Sequence, residues 1–152
     1  MADGFPELTK ADDCFMKIAK EFRWEMGHRL PEHFGKCKNI HGHSYKMIVG
    51  LEGEVDKSGM VMDYYDLKKI VEPFVERLDH AFMVYKEDKE IISFLEKMKS
   101  KMIVVEFQST VENICKYFLN EIKKADFPQN VKKISVRIYE TTDNYAEETL
   151  SL

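Results

Sequence analysis

The chain has 152 residues and a net charge of −4, and 44% of its residues are hydrophobic and 33% charged. This balance allows one folded domain and excludes a mostly disordered chain, and the acidic charge argues against nucleic acid as the main partner. No apolar run approaches the roughly 20 residues of a membrane helix, no secretory signal opens the sequence, and its three widely spaced cysteines favour reduced thiols. We therefore expect a cytoplasmic protein without a membrane partner.

The first part of the chain predicts a tail and two strands. Residues 1–13 read as a flexible N-terminal tail, which leaves residues 14–152 as a single domain. From Phe15 to His28 the hydrophobic residues recur with period two, which is typical of a half-buried strand. A loop with proline and glycine follows, and the alternation returns from His41, so a second strand is predicted there.

The hydrophobic period then changes to that of a helix. Apolar residues at helical spacing begin at Leu67, and Asp63 precedes them as a predicted N-cap. A shorter helix is predicted at 87–98, and the run "MIVVEF" after it reads as a short extended segment or a buried linker. A second strong helix begins with "STVE", residues 109–112, which is a capping-box pattern.

The last part of the chain predicts two further strands, "VKKISVRIYE" and then roughly residues 145–152. The major elements therefore follow the order strand, strand, helix, helix, strand, strand. Because strands and helices come in separate runs, we expect an α+β fold in which two helices pack on one face of a four-stranded antiparallel sheet.

Three histidines share one strand face in this arrangement. His41 and His43 project together, because side chains two residues apart on a strand point to the same side. His28 continues the inward-facing side of the first strand, so pairing of the two strands would bring three imidazoles together. Three histidines that leave a fourth position open are typical of a catalytic zinc site, although His-x-His alone also fits ordinary strand residues. His33, in the loop, has no such geometric support and lies outside the predicted site.

Cys37 lies in the loop, four residues before His41. It fits an ordinary loop cysteine, but it could act in catalysis if a neighbouring cation or base helped the thiol to ionise. Asp79 and His80, just past the first helix, could supply that base. Adjacent side chains do not normally face each other, so their contact would require the helix end to distort. Otherwise His80 is simply favourable at a helix C-terminus.

Glu140 continues the inward-facing side of the strand that precedes it. A carboxylate on an apolar face is costly without partners. The residue therefore either meets water beyond the strand end or awaits a ligand with paired N–H donors, such as the guanidine-like edge of a pterin or guanine. Glu112 needs no ligand to explain it, because the capping box accounts for it.

These motifs occur together in one known family. The stretches "HRLPEHFGKCKNIHGHSY", "LDH", "STVEN" and "YETTDN", in this order, resemble the 6-pyruvoyltetrahydropterin synthase family over about residues 16–150. The spacing C-x3-H-G-H looks like that of its bacterial 6-carboxytetrahydropterin synthase branch. The chain departs from the family's pattern at Met26 and Gly27, at Ser109, and in a longer segment near residues 85–105.

The resemblance implies the tunnelling fold and a homohexamer of two trimers with active sites between subunits, so that Asp79 and His80 would serve Cys37 on a neighbouring chain. It also implies a Zn²⁺ cofactor. It assigns His28, His41 and His43 as zinc ligands. It assigns Cys37, Asp79 and His80 as catalytic residues, and Glu140 as the anchor of the pterin.

The implied substrate is a small molecule, 7,8-dihydroneopterin triphosphate. In the carboxy branch the product is 6-carboxy-5,6,7,8-tetrahydropterin, formed with loss of triphosphate and acetaldehyde on the route to the deazapurine of queuosine. Three alternatives stay open. The pyruvoyl branch would eliminate triphosphate to make the biopterin precursor, a non-catalytic module would bind a pterin or purine without turnover, and a zinc ion with Cys37 as its fourth ligand would be structural.

Overall fold

The computed structural model describes residues 15–152, so the predicted tail at 1–13 and the first residue of the predicted domain lie outside it. Its strands are β1 (Phe15–His28), β2 (His41–Glu54), β3 (Ala81–Tyr85), β4 (Met102–Val105), β5 (Val131–Tyr139) and β6 (Tyr145–Ser151). Its helices are α1 (Tyr64–Leu78), α2 (Lys89–Lys97) and α3 (Val111–Ile122), and a 3-10 turn spans Lys36–Lys38.

The six strands form one mixed sheet in the order β4-β3-β1-β2-β5-β6. The pairs β1–β2, β2–β5 and β5–β6 are antiparallel, whereas β3 runs parallel to both β1 and β4. The predicted α+β class is confirmed, and the four predicted strands form the antiparallel part of the sheet. The predicted count of four strands and two helices is wrong, because the segment after α1 adds β3, α2 and β4.

The missed strand, β3, is short and apolar throughout ("AFMVY"), so it shows neither helical nor strand periodicity in the sequence. It pairs with only the last three residues of β1, at 26–28. The helix predicted at 87–98 is present as α2, and the extended reading of "MIVVEF" is confirmed in β4. The longer segment near 85–105 therefore widens the sheet at the end of β1 where the histidines lie.

The main core lies between the sheet and the helices α1 and α3. The apolar residues of β1 that face this layer alternate with exposed ones, as the period-two pattern predicts, whereas in β2 and β5 the intervening residues are often partly or fully buried. The indole of Trp24 stacks on the ring of Tyr45, with centroids 5.1 Å apart. The largest fully buried side chains of this layer include Tyr45, Met47, Leu51, Leu67, Leu78, Phe118, Ile122 and Ile138.

Helix α2 packs on the other face of the sheet. Its buried residues Ile91 and Leu95 contact Val84 of β3 in a separate hydrophobic cluster. Met83, the neighbour of Val84, belongs to the main core instead. Because successive strand residues point to opposite faces, α2 and the pair α1 and α3 cover opposite sides of the sheet. The prediction of helices on one face is therefore right for α1 and α3 alone.

The helix starts are set by side-chain caps. Asp63 caps α1 as predicted, accepting the backbone N–H of Tyr65 at 2.6 Å. Thr110 caps α3 by accepting the backbone N–H of Asn113 at 3.4 Å. The predicted capping box is therefore wrong by one residue, and Glu112 is an exposed residue of the first turn that takes no part in the cap.

No helix within residues 15–152 combines the length and the apolar character needed to cross a membrane.

Candidate active site

Three histidine rings meet where β1 and β2 pair. His28 lies directly opposite His41 in the antiparallel register, and His43 lies opposite Met26. The ring centroids are 4.6 Å apart for His28 and His41, 5.1 Å for His28 and His43, and 5.0 Å for His41 and His43. One ring nitrogen from each lies within 4.8 Å of the other two. The predicted convergence of the three imidazoles is confirmed.

Two of these rings are oriented by backbone carbonyls. His28 Nδ1 lies 2.8 Å from the carbonyl oxygen of Ser109, and His41 Nδ1 lies 2.7 Å from that of Asn39. A carbonyl only accepts hydrogen bonds, so both Nδ1 atoms carry a proton and Nε2 is the nitrogen of each ring left to face a metal ion. Such a second partner is how proteins fix the tautomer of a metal-binding histidine.

The buried ring of His28 has a nitrogen without a partner. Its Nε2 is fully buried and makes no hydrogen bond within residues 15–152. Burial, the largest cause, lowers the pKa of His28 to about 4, and burial also lowers the pKa of His43. Both rings are therefore neutral at pH 7, the state in which imidazole binds metals.

The donor set fits a metal ion. Ligand nitrogens around a tetrahedral zinc lie roughly 3.3 Å apart, given zinc–nitrogen distances of about 2.05 Å. The present separations are all within 4.8 Å, close to that spacing although no ion holds the rings together. Among the described residues the cluster contains three histidines and no cysteine, which leaves a coordination position open.

Glu140 lies at the edge of this cluster, although β5 ends one residue before it. Its Oε1 lies 3.6 Å from His28 Nε2 and 3.8 Å from His43 Nε2, and it accepts a 3.4 Å hydrogen bond from the Tyr45 hydroxyl. Burial and the nearby carboxylate raise the pKa of Tyr45, which therefore stays a hydrogen-bond donor. The carboxylate thus faces the histidines and keeps free acceptor capacity.

Cys37 lies in the 3-10 turn of the loop between β1 and β2 and is partly exposed. Its carbonyl accepts the backbone N–H of Leu30 at 2.8 Å, which closes the loop on itself. His33, predicted to be outside the site, accepts the backbone N–H of Gly35 at 2.8 Å and takes no part in the histidine cluster. The loop is therefore held by its own contacts beside the cluster.

Asp79 and His80 contact each other, and the helix end is distorted as such a contact was expected to require. α1 ends at Leu78, Asp79 is extended, and His80 adopts a left-handed conformation with φ of 56°. Asp79 Oδ2 accepts a 2.8 Å hydrogen bond from His80 Nδ1. The backbone N–H of Glu25 donates to Asp79 Oδ1 at 2.9 Å, and this bond first, then that from His80, lowers the pKa of Asp79.

The pair does not reach Cys37 within one chain. In the described residues, neither Asp79 nor His80 makes a hydrogen bond to Cys37. The His80 ring is 77% exposed and faces outward beside the Glu25 end of β1. The structure therefore brings together the histidines and Glu140, and it leaves the Asp79–His80 pair on an open surface.

Two contacts at the site were not predicted. The carbonyl of Ser109 orients His28, and a backbone oxygen carries no signature in the side-chain sequence. Arg29, directly after His28, forms a two-point ion pair with Asp88 at the start of α2. The only sequence signal for that pair is an arginine beside a candidate ligand.

The sequence of the chain is similar to one protein family over most of its length. Residues 17–150 match the family model described as 6-pyruvoyl tetrahydropterin synthase. The 6-carboxy-5,6,7,8-tetrahydropterin synthase of Haemophilus influenzae is 37% identical, covering 86% of this chain and 96% of its own length. The enzyme of the same name from Aquifex aeolicus is 31% identical, with coverages of 86% and 96%.

A solved structure shares the fold. The 6-pyruvoyltetrahydropterin synthase of Plasmodium vivax superimposes with a TM-score of 0.74 at 20% identity, covering 92% of this chain and 100% of that one. At this identity the likeness concerns the fold.

Proposed function

Because the chain belongs to the 6-pyruvoyl tetrahydropterin synthase family, we propose that it is a zinc-dependent lyase that converts 7,8-dihydroneopterin triphosphate to 6-carboxy-5,6,7,8-tetrahydropterin. One water is consumed, and triphosphate and acetaldehyde leave. The observation that carries this proposal is the cluster of three histidines with the Glu140 carboxylate 3.6 Å from His28 Nε2. The names of the two bacterial relatives favour the carboxy product over the pyruvoyl one.

In this proposal His28, His41 and His43 hold the zinc ion through the nitrogens that face one another. A zinc ion bound there would polarise the side-chain hydroxyls of the substrate and make the neighbouring carbon-bound proton more acidic. The contacts of His28 and His41 to backbone carbonyls keep those rings in place while the substrate binds and leaves.

Glu140 would anchor the pterin ring. An ionised carboxylate with two free acceptor positions matches the paired N–H donors on the guanidine-like edge of a pterin. The Tyr45 hydroxyl holds Oε1 from the protein side, which leaves the other oxygen for the ligand. Binding the ring here orients the substrate side chain toward the histidines, because Glu140 adjoins both His28 and His43.

Cys37 would act as the general base that removes the carbon-bound proton, and Asp79 and His80 would assist the proton transfer. The pair lies away from Cys37 in its own chain, so we assign it to Cys37 of a neighbouring chain. The oriented Nδ1–H of His80 supports this role, because its Nε2 then faces outward as a proton acceptor.

This arrangement favours catalysis over a structural zinc ion. A structural site usually has four protein ligands, and the sequence suggests Cys37 as the fourth. Cys37 does not join the group of close potential ligands in the described residues. We further propose that the enzyme is a cytoplasmic homohexamer of two trimers and that it serves the queuosine pathway.

Mass spectrometry of the products tests the proposal. Zinc-loaded protein is incubated with 7,8-dihydroneopterin triphosphate, and Cys37→Ala, matched for zinc content and circular dichroism, serves as control. We expect 6-carboxytetrahydropterin and acetaldehyde from the wild type and neither from the variant. A 6-pyruvoyl product would place the chain in the pyruvoyl branch with the same machinery. Unchanged substrate with zinc bound would refute catalysis and favour a pterin-binding module.

A further inference from the structure

The turn that carries Asp79 and His80 is held from two sides. On the β1 side, the backbone of Glu25 donates its N–H to Asp79 Oδ1 and accepts the N–H of His80 at 2.7 Å. On the other side, Lys101 Nζ donates to the carbonyl oxygen of Asp79 at 2.6 Å and to that of Glu76 at 2.9 Å. The second support comes from the segment that adds α2 and β4 to the fold.

Lys101 reaches the turn from a fixed backbone. It directly precedes β4, and its carbonyl accepts the backbone N–H of Phe82 at 3.0 Å, two residues after His80. Lys101 and His80 also line the same two cavities, of about 430 and 580 Å³. Lys101 therefore lies beside the open surface that carries His80.

The turn needs such support for two physical reasons. The last carbonyls of a helix have no intrahelical partners, and a cation beside them also complements the negative end of the helix dipole. His80 has a positive φ of 56°, a conformation that residues other than glycine avoid unless their surroundings impose it. The Asp79–His80 contact between neighbouring side chains depends on this conformation.

We propose that Lys101 is a positioning residue for the Asp79–His80 pair. Its two hydrogen bonds to backbone carbonyls fix the end of α1, and thereby hold Asp79 Oδ2 against His80 Nδ1–H so that His80 Nε2 faces outward as the acceptor. The importance of this position for turnover rests on the proposed function. The geometric part, which is the tautomer and orientation of His80, does not.

¹⁵N NMR of the imidazole nitrogens measures the tautomer of His80 directly. In wild-type protein with ¹⁵N-labelled histidine, we expect the His80 ring, assigned with His80→Gln, to be the Nδ1–H tautomer. In Lys101→Met we expect a mixture of tautomers, and in Lys101→Arg the wild-type tautomer, because a guanidinium can donate to both carbonyls. Lys97→Met is the matched control, since Lys97 is exposed in the same segment and its side chain makes no hydrogen bond or ion pair within residues 15–152.

Kinetics read the functional part. We expect kcat of Lys101→Met to fall about tenfold, a part of the roughly 10²–10⁴-fold that general acid–base catalysis contributes, with KM changed less than about twofold. Lys101→Arg should recover most of the loss, and Lys97→Met should match the wild type. Thermal unfolding identifies a variant that fails to fold, and Lys101→Gln, which keeps one donor group, then replaces Lys101→Met.

The two readouts separate the two ideas. An unchanged His80 tautomer in folded Lys101→Met would overturn the inference whatever the activity. A wild type without product would refute the proposed function, and the NMR result would still decide the role of Lys101. A changed tautomer with wild-type kcat would overturn the part of the inference that concerns turnover.

Discussion

Arg29 and Asp88 form a two-point ion pair that fastens the start of α2 to the end of β1. Arg29 Nε donates to Asp88 Oδ2 and Arg29 Nη2 to Asp88 Oδ1, both at 2.7 Å. The side chain of Asp88 is 4% exposed and that of Arg29 20%. Because Arg29 follows His28 directly, the pair links the additional segment to the strand end that carries the histidine cluster.

Removing the charge of Asp88 should destabilise the fold. We expect Asp88→Asn to lower the free energy of unfolding by about 2 kcal/mol at pH 7, less than for a fully buried pair because water still reaches Arg29. Glu90→Gln is the control, since Glu90 is 91% exposed and lies 3.8 Å from Arg29 Nη2. Urea unfolding measures both, and equal stabilities of the two variants would contradict the expectation.

The stability that Asp88 contributes should depend on pH in one direction. The hydrogen bonds from Arg29 hold the pKa of Asp88 below its usual range. Its contribution is therefore complete above the pKa of an unfolded aspartate, about 3.9, and is lost as the pH falls through the lower folded value. The stability gap between wild type and Asp88→Asn should be constant from pH 7 to 5 and narrow below about pH 4. A gap that widens in acid would contradict this.

Zinc binding should depend on the histidines of the cluster and not on His33 in the loop. We expect one equivalent of zinc in the wild type by elemental analysis after dialysis, and its loss in His28→Ala, because three ligands then become two. His33→Ala should keep the metal, since His33 contacts only its own loop. Equal zinc content in the two variants would refute the assignment of the ligands.

The backbone around Gly42 leaves no room for a methyl group. A Cβ there would lie 2.9 Å from the carbonyl oxygen of Met26 on the paired strand. We expect Gly42→Ala to cost about 1–3 kcal/mol and to weaken zinc binding, because the strands must separate between His41 and His43.

Gly27→Ala is the matched comparison. Its Cβ would meet the ring of Phe82 at 2.8 Å, and a side chain can rotate away where a backbone cannot. Thermal unfolding with and without a chelator should show a large loss of stability for Gly42→Ala and a small loss of stability for Gly27→Ala. The reverse order would show that the sheet adapts more easily than the Phe82 ring.

The two cysteines in the described chain should differ in reactivity. Cys115 is buried, its thiol donates to the carbonyl of Val136 at 3.1 Å, and burial raises its pKa to about 11. Cys37 is partly exposed. At pH 8 an alkylating reagent should label Cys37 and leave Cys115 unlabelled until the protein is unfolded, as peptide mass spectrometry can show. Labelling of native Cys115 at a similar rate would contradict the packing of α3 on β5.

The site was predictable where a local period fixes the geometry. The alternation along β1 and β2 places His28, His41 and His43 on one face, and strand pairing then brings them together. The same parity predicted an inward-facing Glu140 without excluding a strand end in water, and although β5 ends at Tyr139 the carboxylate lies beside His28 and His43. The need for a distorted helix end between Asp79 and His80 also follows from adjacency alone, and the positive φ of His80 supplies the distortion.

The remainder depends on contacts between distant parts of the chain. The parallel pairing of β3 with β1 requires register information that five apolar residues do not contain. Arg29 and Asp88 are 59 residues apart, and nothing local selects one acidic partner for the arginine from the many present. The shift of the α3 cap from Ser109 to Thr110 is likewise tertiary, because the Ser109 carbonyl is drawn to His28.

All three histidines of the cluster belong to one hairpin, the local unit of β1, β2 and the loop between them. A metal ion bound there connects residues that are close in sequence. It therefore closes only a short loop and lowers the entropy of the unfolded chain by a small amount. Contacts of such low sequence separation close with a small loss of chain entropy, so the hairpin alone contains everything needed to bring the three ligands together. The contact that orients His28 comes from Ser109, 81 residues further on. The hairpin therefore assembles the ligand set and orients His41 through Asn39, whereas the orientation of His28 depends on a distant part of the chain.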